Sequence, residues 1–294
     1  MKLYSDRFEE YRAAVEAAIG DYLPAFSEGE ETVCRAMSYA CEAGGKRLRP
    51  VLLLAFAALA GGDVAAAMPF ACAIEMLHNY SLVHDDLPCM DNSPLRHGKP
   101  SVHTVYGEDL AVLCGDALLN RAFETMLSAD VAVDADRRLR AASVLANAAG
   151  IRGMIGGQTI DLENEGKEIS LELLEELHRK KTGALITAAC EMGAILGGGD
   201  ERLVAAAVAF GKNVGLCFQL VDDILDVTST AEELGKPVGG DAQNEKNTYV
   251  SLLGLDKTRR LAAVQTDEAI AALDGIDGAE DLKALAMALL SRTL

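Results

Sequence analysis

Two clusters of aspartates each interrupt a long apolar segment of the sequence. The first lies within residues 85–91 and the second within residues 222–226. A carboxylate in apolar surroundings is costly unless a cation or another partner compensates it. The chain must therefore fold so that both clusters meet such partners, and this requirement restricts the fold more than any other feature of the sequence.

The two clusters differ in their spacing. Asp222 and Asp226 are four residues apart, which places them on one face of a helix about 6 Å apart along its axis. Asp85 and Asp91 are six residues apart and would diverge on an unbroken helix. Pro88 disfavours helical geometry in the residue before it, so we expect the helix to end there and a loop to bring Asp91 back.

The aspartates form oxygen-rich groups of the kind that suits Mg²⁺, which prefers one or two carboxylates together with substrate phosphates. A single cluster could equally be a solvated helix end. Because both clusters lie in apolar helical segments, a metal site is the favoured interpretation.

The remaining pattern predicts an all-α protein. The chain has no Trp and 7 Pro in 294 residues, half of its residues are hydrophobic, and helical periodicity runs through almost all of it. No linker, repeat or change of composition divides it, so we expect one domain over residues 1–294. The predicted helices cover roughly 5–23, 29–43, 50–60, 64–86, 108–128, 134–160, 171–197, 200–227, 247–253, 256–273 and 279–292, and the predicted charged loops cover 44–50, 87–103, 161–169 and 228–246.

The segments 64–86 and 200–227 are apolar around nearly their whole circumference, which predicts two central helices. Both carry their aspartates near the C-terminal end, so we expect them to stand side by side or opposed across a shared cavity. On the first segment, His78 and Ser81 share a stripe with Asp85. A lone helical histidine is usually packed in a core, but this alignment favours contact with a ligand at least as strongly.

The charge distribution points to a polyanionic ligand. The formal net charge of −18 argues against nucleic acid as a partner. Basic clusters nevertheless occur at residues 46–49, 96–99 and 178–181, together with Lys236 and Lys246. These clusters lie beside acidic clusters or glycine breaks, which favours binding of a highly charged anion.

The sequence also predicts the cellular compartment. The seven cysteines include no CxxC pair and are interpreted as reduced thiols. The first residues resemble neither a signal nor a transit peptide. The apolar stretch 51–60 is too short to span a bilayer. We therefore expect a soluble cytoplasmic protein without stable membrane insertion.

Several motifs together resemble a known family, the trans-isoprenyl diphosphate synthases, in its bacterial farnesyl and plant-type geranylgeranyl branch. The strongest are GGKRLRP at 44–50, HDDLPCMDN at 84–92 and FQLVDDILD at 218–226. The short segments GQ at 157–158 and KTG at 181–183 also fit. The resemblance covers nearly the whole chain and implies an all-α isoprenoid-synthase bundle of about ten or more helices around a central apolar cavity.

The resemblance implies functional residues by position. It implies about three Mg²⁺ ions per active site, for which Mn²⁺ could substitute, and a catalytic role for Lys181 and the aspartates. The implied metal ligands and their supporting carboxylates are Asp85, Asp86, Asp91, Asp222, Asp223 and Asp226. The positions that correspond to isopentenyl diphosphate binding are Lys46, Arg49 and His78, and those that correspond to allylic diphosphate binding are Arg96, Lys181, Thr182, Gln219 and Lys246, with Lys236 nearby.

The implied reaction is ionisation of the allylic C–O bond, assisted by the metal ions, and attack of the isopentenyl double bond on the resulting carbocation. The departing diphosphate removes the proton. The sequence offers no dedicated nucleophile, which fits a protein that supplies charge neutralisation and a dry apolar tunnel. The family resemblance also implies a homodimer.

One position departs from the family pattern, in which two adjacent arginines follow the first aspartate motif. Here Arg96 is followed by His97. Histidine has fewer donors and is largely neutral at pH 7. We therefore expect His97 to make a weaker contact with isopentenyl diphosphate.

Product length depends, in related synthases, on the residue five positions before the first metal ligand. Here that residue is Tyr80, about 7.5 Å along the helix from Asp85. An aromatic side chain there closes the pocket floor, which implies farnesyl (C15) diphosphate as the main product, with geranyl diphosphate as its intermediate. Ser81 and Leu77 are expected to share this role. A C20 or C10 product, or a Tyr80 that is simply a core aromatic, are the alternatives.

Three other classes of protein are less favoured. A di-iron bundle would use Glu-x-x-His motifs such as those at 75–78 and 175–178, but we expect the second on a charged, solvent-facing surface. A terpene cyclase would not need the basic cluster at 46–49 for a second diphosphate. A non-catalytic partner subunit of a prenyltransferase is disfavoured by the intact aspartates.

Overall fold

The computed structural model describes residues 3–25, 29–229 and 247–291 and is almost entirely helical. Lys236 and Lys246 lie outside the described residues. Within these ranges, β structure is limited to a hairpin in which Leu95–Arg96 pairs antiparallel with Lys99–Pro100. The all-α prediction with more than ten helices is confirmed.

The helices follow the predicted segments closely. In chain order they are α1 Asp6–Ala18 with a 3₁₀ turn at Ile19–Tyr22, α2 Glu31–Cys41, α3 Leu48–Leu59, α4 Val64–Asp85, α5 Val102–Tyr106, α6 Glu108–Leu127, α7 Ala135–Ala149, α8 Met154–Glu163, α9 Leu171–His178, a π turn at Arg179–Gly183, α10 Ala184–Gly197, α11 Glu201–Thr228, α12 Tyr249–Leu253, α13 Leu255–Ala272 and α14 Glu280–Ser291.

Several boundaries differ from the predictions. The single helix predicted at 134–160 is wrong, because α7 ends at Ala149 and α8 begins at Met154. The intervening turn contains Gly150 and Gly153, and glycine loses more backbone entropy in a helix than other residues. The predicted loop 87–103 also ends early, since α5 begins at Val102.

The aspartate-bearing helices are held in the centre of the bundle by different neighbours. Helix α4 packs on α3 and α6, and most of its side chains are buried. Helix α11 packs on α10 and α13, and α10 in turn packs on α3. One large apolar core draws side chains from helices between α1 and α14. This packing leaves α4 and α11 on opposite sides of an internal cavity.

Among the described helices, α11 alone is long and apolar enough to cross a membrane. Half of its most apolar stretch is buried in the bundle, however, and its C-terminal part carries three aspartates. A core helix of a soluble protein has the same length and composition.

Candidate active site

Two adjoining chambers lie along α4, a polar one between α4 and α11 and an apolar one between α4 and α8. The polar chamber has a volume of about 480 Å³ and the apolar chamber about 280 Å³. Arg49, His78, Leu82 and Thr182 lie in the walls of both. The expectation that the two central helices face a shared space is therefore met at the polar chamber, whereas the apolar chamber lies between α4 and α8.

The polar chamber brings together basic side chains that are far apart in the sequence. The Lys46 ammonium lies 5.3 Å from the centre of the Phe218 ring on α11. Opposite it, His78 of α4 faces the same space, and Gln219 and Asp222 of α11 line it as well. The predicted binding residues that line the polar chamber are Lys46, Arg49, His78, Arg96, His97, Thr182 and Gln219.

Two of these side chains carry buried polar atoms that point to a ligand. Within the described residues, neither the Arg49 Nε nor the His78 Nδ1 has a hydrogen-bond partner. Desolvation lowers the pKa of His78 well below 6.5, and the positive charges of Arg49 and its neighbours lower it further. His78 is therefore a neutral imidazole in the free protein, and both groups are available to an anion that enters the chamber.

The loop before α3 has its shape because of a residue that sequence reasoning did not single out. Arg47 adopts a left-handed backbone conformation, with φ of 50°, and is buried. Its guanidinium donates to the Glu75 carboxylate at 2.7 Å and to the Cys41 carbonyl oxygen at 2.5 Å. Arg47 is thus anchored by Glu75 and Cys41 at the wall of the polar chamber, which Lys46 and Arg49 also line.

A π turn places Lys181 and Thr182 in the walls of the cavity. Such turns are rare and often occur at functional sites. The Lys181 ammonium lies 2.6 Å from an Asp161 carboxylate oxygen on α8, and the Thr182 hydroxyl donates to Gln219 at 3.3 Å. The pattern of residues 171–197 correctly predicts continuous helical structure but contains no signal for this turn.

The first aspartate cluster forms a closed turn, as the position of Pro88 predicts. Helix α4 ends at Asp85, and the Asp91 N–H donates to the Asp85 carbonyl oxygen at 2.9 Å. The Asp85 carboxylate accepts a hydrogen bond from the Gln158 amide of α8 at 2.6 Å. Asp85 and Asp91 are therefore brought together by the chain itself, with α8 bracing the first of them.

Asp86 has a different environment from the one expected of a metal ligand. Its carboxylate is buried and held by Arg96, whose Nε donates to both oxygens at 3.1 Å. Burial raises the pKa of Asp86, while the hydrogen bonds and charge of Arg96 oppose that rise. In this structure Asp86 thus contacts Arg96, a residue of the polar chamber, and metal binding by Asp86 stays a prediction.

The second cluster lies on the continuous helix α11, where its members have different surroundings. Asp222 lines the polar chamber. Asp223 is buried and accepts hydrogen bonds from the Tyr249 backbone N–H at 2.7 Å and from the Gln219 amide at 2.9 Å. Asp226 is buried as well. Of the three, Asp222 is the one that faces the space where a ligand would bind.

Comparison with known proteins agrees with this arrangement. Residues 30–285 match the model of the polyprenyl synthetase family. The chain belongs to this family. It is a trans-isoprenyl diphosphate synthase, and therefore a prenyltransferase.

Similar proteins include synthases of different product lengths. A farnesyl diphosphate synthase of Geobacillus stearothermophilus is 46% identical over 88% of each chain. The large subunit 1 of a heterodimeric geranylgeranyl pyrophosphate synthase of Arabidopsis thaliana is 49% identical over 86% of this chain and 70% of that protein. The structure of a geranyltransferase from Helicobacter pylori, complexed with magnesium and isoprenyl diphosphate, is 35% identical with a TM-score of 0.86, over 99% of this chain and 98% of that one.

The carboxylates of this synthase fit Mg²⁺ as a cofactor. The side chains of Asp85, Asp91 and Asp222 offer only oxygen donors, which Mg²⁺ prefers. In the described part of the chain, no three acidic, histidine or cysteine side chains converge to form a complete metal cage. An ion that takes one or two ligands from the protein and the rest from phosphate and water suits this arrangement.

The apolar chamber of the synthase contains part of the predicted chain-length set. Tyr80 and Ser81 line it, together with Met154 and Ile155 of α8. Leu77 is not among the lining side chains and is fully buried in the core, so its part in chain length stays a prediction. The contribution of α8 was missed because the prediction merged this helix with α7.

The expected solvent exposure of His178 is wrong. Its imidazole is buried, and its ring lies 5.3 Å from that of Tyr249. Burial lowers the pKa of His178 to about 4. The other motif of the di-iron alternative is also occupied, since Glu75 is paired with Arg47. Both histidine motifs thus have roles within the fold.

Proposed function

We propose that this enzyme condenses isopentenyl diphosphate with dimethylallyl diphosphate and then with geranyl diphosphate, and releases mainly farnesyl diphosphate. The observation that carries the proposal is the joining of a cationic chamber to an apolar one through shared walls. Lys46, Arg49 and His78 hold isopentenyl diphosphate, with His97 at the edge of their group. Residues 1–294 act as a single polyprenyl synthase domain.

The allylic diphosphate binds near the π turn in this proposal. Arg96, Lys181, Thr182 and Gln219 bind it, and Lys236 and Lys246 complete the set from outside the described residues. The reacting carbons lie at the junction of the chambers, and the growing chain extends past Tyr80. The apolar walls exclude water from the carbocation, which would otherwise be quenched.

Asp85, Asp91 and Asp222 would hold about three Mg²⁺ ions together with the diphosphate, and Mn²⁺ could replace them. When bound, these ions supply Lewis-acid stabilisation of the leaving diphosphate. Asp86 contributes by positioning Arg96, and Asp226 lies one helical turn beyond Asp222. The Helicobacter pylori enzyme complexed with magnesium supports this assignment.

Product length provides the test of the proposal. Purified enzyme is incubated with Mg²⁺, isopentenyl diphosphate and each of the dimethylallyl, geranyl and farnesyl primers, and the products are separated by chain length. We expect C15 to dominate, and Tyr80→Ala to shift the products to C20 or longer because the floor is removed. Tyr22→Ala, which alters a tyrosine outside both chambers, should keep the wild-type profile.

Two results would contradict the proposed product. A wild-type enzyme that makes mostly C20 would favour a geranylgeranyl diphosphate synthase, which the 49% identical Arabidopsis relative makes the second candidate. A C15 limit that survives in Tyr80→Ala would show that Tyr80 is not the floor.

We further propose a soluble cytoplasmic homodimer whose ligands do not include nucleic acid. Helix α6 supports this by presenting the exposed apolar side chains of Val112 and Leu113, which are 41% and 55% accessible. Measurement of the mass in solution by light scattering tests it. A monomeric mass at micromolar concentration would count against the dimer.

A further inference from the structure

The chain-length wall includes a residue outside the predicted set. We propose that His84, seated in a notch at Gly115 of α6, is a positioning residue that holds Tyr80 in place and thereby helps to set product length. This inference rests on the proposed function of the apolar chamber as the site of the growing chain.

Tyr80 and His84 form a pair on α4. They are one helical turn apart, and their rings meet edge to face with centres 5.5 Å apart and planes at 89°. Both side chains line the apolar chamber. A movement of the His84 ring would therefore change the support of Tyr80 and the outline of the chamber together.

The His84 ring is attached to a second helix. Its Nε2 lies 3.0 Å from the carbonyl oxygen of Val112 on α6. A carbonyl oxygen can only accept, so Nε2 carries the hydrogen and donates it. The nearest carboxylate oxygen, on Asp116 of α6, is 4.0 Å from the same nitrogen. The hydrogen bond fixes the ring against α6.

The ring fits there because residue 115 has no side chain. A Cβ built on Gly115 would overlap the His84 imidazole, coming within 2.8 Å of Cε1 and closer still to Nε2 and Cδ2. Gly115 lies inside α6, where glycine costs about 0.5–1 kcal/mol relative to alanine. The close approach of His84 is a physical reason for a glycine at this position.

The arrangement predicts opposite effects for two substitutions. In His84→Ala, the space behind Tyr80 is empty, so its ring can withdraw from the chamber and the chamber deepens. In Gly115→Ala, the new methyl group displaces the imidazole from the notch toward the open side, which is the chamber, and the chamber narrows. In the double variant with both Gly115→Ala and His84→Ala, there is no imidazole for the new methyl group to displace.

The experiment compares the molar ratio of C10, C15 and C20 products from dimethylallyl and isopentenyl diphosphates. We expect His84→Ala to raise the ratio of longer to shorter products at least three-fold, and Gly115→Ala to lower it by a similar factor. The double variant should match His84→Ala. Gly20→Ala, at a glycine with open space around its Cβ position, is the control and should match the wild type.

The outcomes separate this inference from the proposed function. The wild-type profile alone decides whether C15 is the main product, whereas the inference concerns the direction of change from whatever length the wild type makes. Product ratios that are unchanged in both single variants would overturn it. So would a Gly115→Ala effect of equal size with and without the imidazole. Should His84→Ala fail to fold by circular dichroism, His84→Asn replaces it, with the same direction expected.

Discussion

The two aspartate clusters have similar sequences but are built differently. The first ends helix α4 and depends on a turn, in which the Asp91 N–H bonds to the Asp85 carbonyl oxygen. The second stays on the unbroken helix α11. The first cluster presents its carboxylates from a loop, and the second from a continuous helix. The two clusters approach the cavity from opposite sides.

One aspartate of each cluster, Asp86 or Asp223, is buried and hydrogen-bonded within the protein, and this pair shows what the difference means. Asp86 holds Arg96, a cation of the polar chamber, whereas Asp223 holds the first residue of α12, Tyr249. The first cluster therefore supports a side chain of the polar chamber, and the second supports the frame of the protein. The second aspartate has a different structural role in each motif because its tertiary partner differs.

The largest expected effect comes from substitution of Asp85 and Asp222, which are proposed to bind the metal ions. Asp85→Ala and Asp222→Ala should each reduce turnover by two or more orders of magnitude, because each removes a proposed ligand of the metal ions that would stabilise the leaving diphosphate. Helical circular dichroism should stay unchanged. Asp267→Ala, on α13, is the control. Near-normal turnover in either variant, or full activity in excess chelator, would refute the assignment.

Substitutions of Asp86 and Asp223 should separate an effect on substrate binding from an effect on stability. Asp223→Ala leaves the buried Tyr249 N–H without its acceptor, so the free energy of unfolding should fall by about 1–3 kcal/mol. Asp86→Ala removes the carboxylate partner of Arg96. Because the Arg96 guanidinium is partly exposed and can be hydrated, this substitution should mainly raise the KM for the allylic diphosphate. Denaturant titration and steady-state kinetics measure the two effects. The same pattern in both variants would mean that the clusters are equivalent after all.

The frame behind the second cluster should be sensitive to pH. His178, stacked on Tyr249, has a pKa of about 4 when folded against 6.5 for the ordinary side chain. The unfolded chain therefore binds a proton that the native state does not, and stability falls as the pH drops below 6.5, by about 2 kcal/mol near pH 5. His178→Phe keeps the stacking and should remove this part of the loss. Parallel pH profiles for the two proteins would show that His178 does not titrate in this way.

The smallest expected effect lies beside the first cluster, at His97. Desolvation lowers its pKa, with Arg96 and Arg47 adding to the shift, so it is neutral at pH 7. His97→Arg should lower the KM for isopentenyl diphosphate by about ten-fold, as expected for a charge-assisted contact, and leave the allylic KM nearly unchanged. The wild type should bind isopentenyl diphosphate better as the pH falls below 6.5. An Arg variant with an unchanged KM would place His97 outside the binding site.

Local pattern was sufficient for most helices, and the reaction class followed from the family resemblance of the motifs. Apolar periodicity located α4 and α11, and Pro88 correctly indicated the turn that returns Asp91. The merged helix at 134–160 shows the limit of such reasoning, since a glycine-containing break of four residues hardly disturbs the periodicity. The π turn before α10 likewise leaves the helical pattern of residues 171–197 undisturbed, so the sequence contained no signal for it.

The sequence by itself determined which residues carry charge in apolar surroundings, and hence that carboxylates, cations and an apolar pocket must meet. Tertiary packing decided which of them face the cavity. Asp86 and Asp223 resemble their neighbours in the sequence, yet each turned toward a distant partner. Leu77 entered the core and His178 became buried. The physical reason is that burial and pairing depend on contacts between segments far apart in the chain, which helical spacing alone does not encode.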